Sequence, residues 1–463
     1  MEKRKTPIVG VIALGVAAAF SAAPRIAAAQ SDTGLQFYGH LDLSIDYITK
    51  GIAEGGSGGN PAPAPNTKTG WMPDISSNLS YFGFRGDHDI GGGYKMVFQV
   101  ETQIDVAATP GPSPVSQTSP GNQDNKVQGA LASRNSFLGI AGGFGALKLG
   151  KTDAPYKLST ARMDPFSATV GDYNSIMGNT GGDNRAEFDT RLSHAMWYES
   201  PKWGGASFSA LWAPGQNRAT DNHLNAASEP DCTGGGGLGQ GPCNDGSFGD
   251  AFSVAGVYET GGLYAILAYE LHQKANRTGD EGSGIPGSAN AGDVGVGDER
   301  AYKVGIQYAF PTNTIVNLIF ERMERHAPLD FNERQRNGSW LAVTQKFGDN
   351  EVNLGWAHAG KTPGQPGGAS VDGINPTGVL GPGGSVDNES NMYSIGYKHH
   401  FDKRANWYAV YARQQNHAGG HYDLGASGHG VTTDCKDSPA NGGGFCFTGE
   451  TLQAVSVGMM YSF

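Results

Sequence analysis

The sequence predicts an all-β chain: a sixteen-stranded antiparallel up-and-down transmembrane β-barrel, with short turns at the periplasmic rim and long extracellular loops at the other. Three observations predict it. Segments of about ten residues alternate apolar and polar at period two along the whole chain. The connections alternate short and long. The composition is glycine-rich and poor in apolar mass, with 72 glycines in 463 residues and only 38% hydrophobic residues. A membrane-spanning barrel needs apolar side chains only on its outer belt, and sixteen strands leave a polar, water-filled bore rather than a packed core. Lipid cannot hydrogen-bond a backbone amide, so such a sheet must close on itself.

Composition excludes other classes. With 33 basic and 44 acidic residues the net charge is −11, and no basic block marks a nucleic-acid surface. A chain with 10% aromatics and 17% charged residues does not resemble a disordered one. Beyond Phe20 no stretch approaches the ~20 apolar residues of a membrane helix.

Residues 1–29 read as a removable signal peptide. Lys3, Arg4 and Lys5 form the positive start, Ile8 to Phe20 the apolar stretch, and Ala27-Ala28-Ala29 the small residues before the cut. Removal takes away four bases and Glu2, a net +3, so the mature chain carries −14 (−11 minus 3). Residues 30–463 form one barrel domain. In an exported chain, Cys232 with Cys243 and Cys435 with Cys446, each pair in a Gly/Asn-rich loop, read as two local disulfides.

The strands follow in order. The first is expected at Leu35–Ile48, the second at Leu79–Asp89, the third at Tyr94–Ile104. Ser136–Gly142 and Ala146–Lys151 flank a Gly143–Gly145 turn; Leu192–Ser200 and Ala206–Pro214 flank Lys202–Gly205. Ala251–Thr260 and Leu263–His272 are joined by Gly261-Gly262. In Ala301–Phe310, Tyr302, Val304, Ile306, Tyr308 and Phe310 share one face and Lys303, Gly305 and Gln307 the other. Thr314–Glu324 follows Pro311–Asn313, and Ser339–Phe347 and Glu351–Gly360 flank Gly348–Asn350. Asn391–Phe401 and Asn406–Gln415 flank Asp402–Ala405. The last strand is Thr451–Phe463, with Val455, Val457, Met459 and Tyr461 on its apolar face. Aromatic residues concentrate near strand ends, as interfacial girdles do.

Several segments resemble one family. Leu35–Tyr47 (LQFYGHLDLSIDY), Phe82–Glu101 (FGFRGDHDIGGGYKMVFQVE), Arg134–Lys151 (RNSFLGIAGGFGALKLGK), Tyr198–Pro201 and Tyr393–Tyr411 are similar to hairpins of general porins of Gram-negative outer membranes, the neisserial and burkholderial type. The resemblance implies an outer-membrane homotrimer with one pore per subunit, in contact with membrane lipid and lipopolysaccharide. It implies that the third long loop, near Thr152–Thr190, folds inward to narrow the channel. It also implies that Phe463 is the aromatic read by the assembly machinery. Trp197 departs from the pattern, standing where relatives often carry a base.

A channel selects by width and by the field at its narrowest point. Asp164, Asp172, Asp183, Glu187 and Asp189 are the expected constriction acids on the loop. By alternation, Arg85, Lys95, Glu101, Lys148, Arg191 and Lys398 are expected on the wall. Acids facing bases would give a transverse field, and the acid surplus suggests weak cation preference. The expected function is passive diffusion of small hydrophilic solutes and ions. A substrate-specific channel, or an exported β-rich adhesin or enzyme, are the alternatives.

Motifs for chemistry are missing. Gly55–Gly59 fits G-x-S-x-G, but in a Gly/Pro/Asn-rich loop rather than between strand and helix. There is no H-E-x-x-H and no P-loop, so neither enzyme activity nor cofactor nor metal is expected.

Overall fold

The structure is a computed structural model. It describes residues 34–49, 71–107, 131–178, 188–214, 250–276, 296–325, 334–361, 389–417, 422, 424 and 451–463. The expected signal peptide, the four cysteines, Gly55–Gly59, Asp183 and Glu187 lie outside these residues.

Seventeen strand segments form one closed antiparallel sheet. They are β1 (Gln36–Thr49), β2 (Trp71–Ser77), β3 (Tyr81–Gly91), β4 (Tyr94–Gln103), β5 (Ser136–Gly142), β6 (Gly145–Asp153), β7 (Arg191–Glu199) and β8 (Ala206–Ala213). Then come β9 (Ala251–Thr260), β10 (Leu263–Asn276), β11 (Val296–Ala309), β12 (Thr314–Arg325), β13 (Arg334–Phe347), β14 (Asn350–Ala359), β15 (Ser390–His400), β16 (Ala405–Asn416) and β17 (Thr451–Ser462). The barrel is sixteen-stranded because β2 and β3 are one strand with a break. Both pair with β1, Leu43–Thr49 matching Ser77–Trp71 and Gln36–His40 matching Arg85–Tyr81. At the break Leu79 takes a φ of 53°. Asn78 there donates its backbone N–H to the Asp42 carbonyl and its side-chain amide to Ser44 Oγ at 2.9 Å. The expected second strand therefore begins eight residues too late: the kink hides its continuation. Closure comes from β1 against β17, in register from His40 with Ser462 to Ile48 with Ala454.

The outward face matches the alternation. Tyr302, Val304, Ile306, Tyr308 and Phe310 are exposed, as are Val455, Val457, Met459 and Tyr461, while Lys303, Gln307, Ala454 and Ser456 are buried. Strands β11 and β13 start five residues earlier than expected, at Val296 and Arg334. Their upper ends carry Asp298, Arg300 and Arg334–Asn337, so the apolar alternation stops before the strand does. The chain has left the hydrocarbon there but keeps its sheet partners.

Candidate constriction of the barrel bore

Between β6 and β7 the chain turns into the bore. Ala154 N–H donates to the Thr190 carbonyl at 3.1 Å, closing the base of the loop. The loop then makes a one-turn helix, α1 (Pro155–Leu158), and two short 3₁₀ turns, Ala161–Met163 and Tyr173–Ser175. Its apolar residues Met163, Phe166, Val170, Tyr173, Ile176 and Met177 pack on inward-facing Tyr264, Ile266, Ile319 and Trp340. A dry cluster thus exists inside the barrel, made by residues of the inner face and not by the outer belt. Composition and alternation do not reveal it, because no strand contributes more than three of its members.

Glycine makes room for this packing. A Cβ at Gly355 would stand 2.5 Å from the Trp340 ring and 2.8 Å from Phe166, and one at Gly396 would stand 3.0 Å from Phe166. Phe166 therefore sits against bare backbone of β14 and β15. Wall side chains then hold the loop backbone. Trp340 Nε1 donates to the Met163 carbonyl at 3.0 Å, and Tyr264 Oη to the Ser159 carbonyl at 2.9 Å. The Gly178 N–H donates to Glu321 Oε1 at 2.9 Å, and Arg336 Nη2 donates to the Ile176 carbonyl at 2.6 Å.

The buried charges lie where both limbs of the loop meet β10 to β13. Lys303 Nζ, with no exposure, reaches both Asp189 carboxylate oxygens at 2.5 and 2.7 Å and lies 4.0 Å above the Tyr156 ring. Its third contact is Thr160 Oγ1 at 3.3 Å. Arg336 pairs with Glu321 at 3.2 Å, and Tyr156 Oη donates to Glu321 at 3.3 Å. His272 stands between Glu299 at 2.6 Å and Glu270 at 3.0 Å, with the Phe188 ring stacked on it at 4.9 Å. Buried ions need such partners, since desolvation otherwise dominates. Alternation puts Lys303 inside, but the identity of its partner comes only from the loop's path.

The described ones among the expected acids, Asp164, Asp172 and Asp189, occupy other environments than a bore surface. Asp164 accepts from Phe166 N–H at 2.9 Å and Tyr173 N–H at 3.2 Å; Asp172 accepts from Asn174 and Ala168 N–H, both at 2.8 Å. Both are buried. Burial first, and the adjacent Asp172 second, hold the Asp164 carboxyl well above its ordinary range. Asp189 is spent on Lys303. Sequence spacing shows that acids are in the loop but not which way they turn.

The facing wall is β1 and β3 to β7. Arg85, exposed in the bore, donates Nε to Gln36 at 3.2 Å and lies 4.7 Å above the Tyr38 ring. Glu101 is buried, paired with Arg134 at 2.6 Å and accepting from Tyr38 Oη at 2.9 Å. Arg134, not singled out from the sequence, also stacks on Tyr81 at 4.6 Å. Arg191 sits at the loop base, donating to Asn135 at 2.7 Å and pairing with Asp153 at 3.1 Å. Three lysines sit nearer the short turns. Lys95 pairs with Asp87 at 3.2 Å, Lys148 with Glu199 at 2.7 Å, and Lys398 with Glu351 at 3.5 Å. Trp197 is buried beside Lys148 and donates Nε1 to Glu199 at 2.9 Å.

A closed sheet with a greasy exterior, a polar inner wall and an inward loop defines a membrane channel barrel. Residues 13–419 match the family model described as Gram-negative porin, and the chain belongs to that family. It is 28% identical over 195 residues to the major outer membrane protein P.IB of Neisseria meningitidis serogroup B, covering 42% of this chain and 48% of that protein. The chain thus spans about half the length of that curated relative. It is 23% identical over 411 residues to an outer membrane porin protein of Bordetella pertussis, covering 84% and 91% of the two chains. Among solved structures, an anion-selective porin from Comamonas acidovorans superposes with a TM-score of 0.63 at 19% identity, covering 93% of this chain and all of that one. OmpT of Vibrio cholerae superposes with a TM-score of 0.56 at 13% identity, covering 94% and 99%. These likenesses carry the fold and an outer-membrane location.

Proposed function

We propose that the protein is an outer-membrane channel for passive diffusion of small hydrophilic solutes and ions, and that it works as a homotrimer with one bore per subunit. The observation that carries this reading is the loop stretch 154–178 packed on one inner wall through Phe166 and Trp340, facing the polar wall of Arg85, Glu101 and Arg134 across the bore. Solutes cross between them without a binding step or a covalent one.

The described loop acids Asp164, Asp172 and Asp189 hold internal partners, so the field in the bore comes from the wall. Among the described residues of the wall facing the loop, β1 and β3 to β7, Arg85 is an exposed base that forms no ion pair, its partners being Gln36 and the Tyr38 ring. We assign it the main share of charge selectivity. The acid surplus behind the expected cation preference rests on Asp183 and Glu187, and Arg85 opposes it.

Reconstitution into a planar bilayer tests the channel. The expected result is stepwise conductance, in threes per insertion event, increasing linearly with salt. Absence of conductance from folded protein would overturn the reading; saturable block by a single solute would favour a substrate-specific channel instead.

A further inference from the structure

Arg300 and Arg322 lie on the outward face of the barrel. Along β11 and the residue that follows it, Tyr302 and Phe310 bound the exposed apolar row. Eight residues at ~3.3 Å each, tilted by ~40°, span roughly 20 Å along the barrel axis. That is close to the height of a hydrocarbon belt, so Arg300, one outward step beyond Tyr302, stands at the headgroup level. Register puts Glu324 opposite Arg300 and Arg322 opposite Tyr302. The side chains are cross-linked by hydrogen bonds. Glu324 takes Nε of Arg300 on one oxygen at 2.8 Å and Nε of Arg322 on the other at 2.9 Å. Arg322 also donates Nη1 to Asn337 at 3.1 Å and Nη2 to Gln335 at 2.9 Å. A guanidinium has five N–H groups, so two of Arg322's, one on each terminal nitrogen, remain beyond these three bonds. The side chains of Arg300 and Arg322 are 40% and 39% exposed.

We infer that this cluster binds the phosphate group of a phosphorylated glycolipid of the outer leaflet. The inference rests on the outer-membrane reading and adds a site to it. Its basis is charge complementarity at a fixed height. Two guanidiniums bracket one carboxylate immediately above the Tyr269–Tyr302 pair, whose ring centroids lie 5.1 Å apart. The exposed Asp298 lies one step further from the membrane on β11, so the charges are layered, cations at the girdle and acid above. A planar fork suits phosphate oxygens better than a lysine would, and the tyrosines beneath would carry acyl chains and sugar edge.

The test uses the full trimeric protein in detergent, probed by native mass spectrometry with bisphosphorylated lipid A and with the same lipid dephosphorylated. Wild type is expected to retain the phosphorylated lipid and lose affinity by at least about tenfold, the share of one charge-assisted hydrogen bond, when the phosphates are removed. Arg300→Gln with Arg322→Gln should show the same loss with conductance unchanged. Millimolar inorganic phosphate should not displace the lipid. Equal retention of the two lipids, equal retention by the variant, or displacement by inorganic phosphate would overturn the site. So would dissociation of the variant into monomers while wild type retains no lipid, which would make this face a subunit contact. Bilayer conductance of the same samples separates failure of the site from failure of the channel reading.

Discussion

Phe463 lays its ring over Gly39. A Cβ at Gly39 would stand 2.3 Å from the ring, and the two backbones exchange hydrogen bonds of 3.1 Å in both directions. The Phe37 ring also meets it, tilted, with ring centroids 5.4 Å apart. This contact joins the first and last strands of the barrel, so it exists only in the closed state. Gly39→Val should displace the ring and weaken closure by ~1–3 kcal/mol, as overpacking does. Unheated gel mobility would report it as a smaller folded fraction. A variant as heat-stable as wild type would separate Phe463 from closure.

Lys303 is the buried cation that ties both limbs of the loop to the wall. Lys303→Met leaves Asp189 without a counter-ion and should cost ~3–5 kcal/mol of loop packing. Conductance should rise as the loop leaves the wall. Adding Asp189→Leu removes the orphaned charge and should restore most of the loss. If the double variant is as leaky as the single one, the pair does not hold the loop.

The Phe166 ring fills the recess left by Gly355 and Gly396. Phe166→Ala should cost ~3–5 kcal/mol through the cavity it leaves. Liposome swelling with sugars of increasing size should then show a higher cutoff. Gly396→Val pushes from the opposite side and should have the same direction. An unchanged cutoff in both variants would place the width elsewhere.

Asp164 makes the loop's packing depend on pH. With its carboxyl raised above the ordinary 3.8, Asp164 in the packed loop holds a proton that an undocked loop releases. The packed state binds more protons over that window, so its advantage is full below 3.8 and is lost as pH rises towards the raised value. That sign is opposite to a salt-bridged carboxylate. Single-channel current should become noisier as pH is raised from below 3.8, and Asp164→Asn should flatten that dependence. The same pH slope in the variant would show that another group governs it.

Arg85 reports on charge selectivity directly. In a tenfold salt gradient, Arg85→Gln should move the reversal potential towards cations by several millivolts, while Lys95→Gln, whose lysine is already paired with Asp87 near the rim, should move it less. Equal shifts would mean that the field is not set at the Tyr38–Arg85 wall.

Much of the barrel was legible because lipid imposes one rule on every strand: outward residues must be apolar. That rule fixed the strand count and the outward faces of segments such as Ala301–Ala309. It failed where lipid stops acting, at Val296–Arg300 and at the kinked Leu79. The candidate site was less legible. Inward residues answer to a loop whose path no periodicity encodes, so Lys303 reads only as a polar residue of its strand's other face and Trp340 is not singled out, although both anchor the loop. Asp164 and Asp172 were found as acids of the loop, but backbone N–H groups and not solvent receive them.

The recess under Phe166 has one more implication. There the inward loop rests on peptide backbone and rigid rings, which sample few shapes. The opposite side carries an exposed arginine over a tyrosine. A solute passing between them would be judged for girth on one side and for polarity on the other, so evolution could retune either property without disturbing its counterpart.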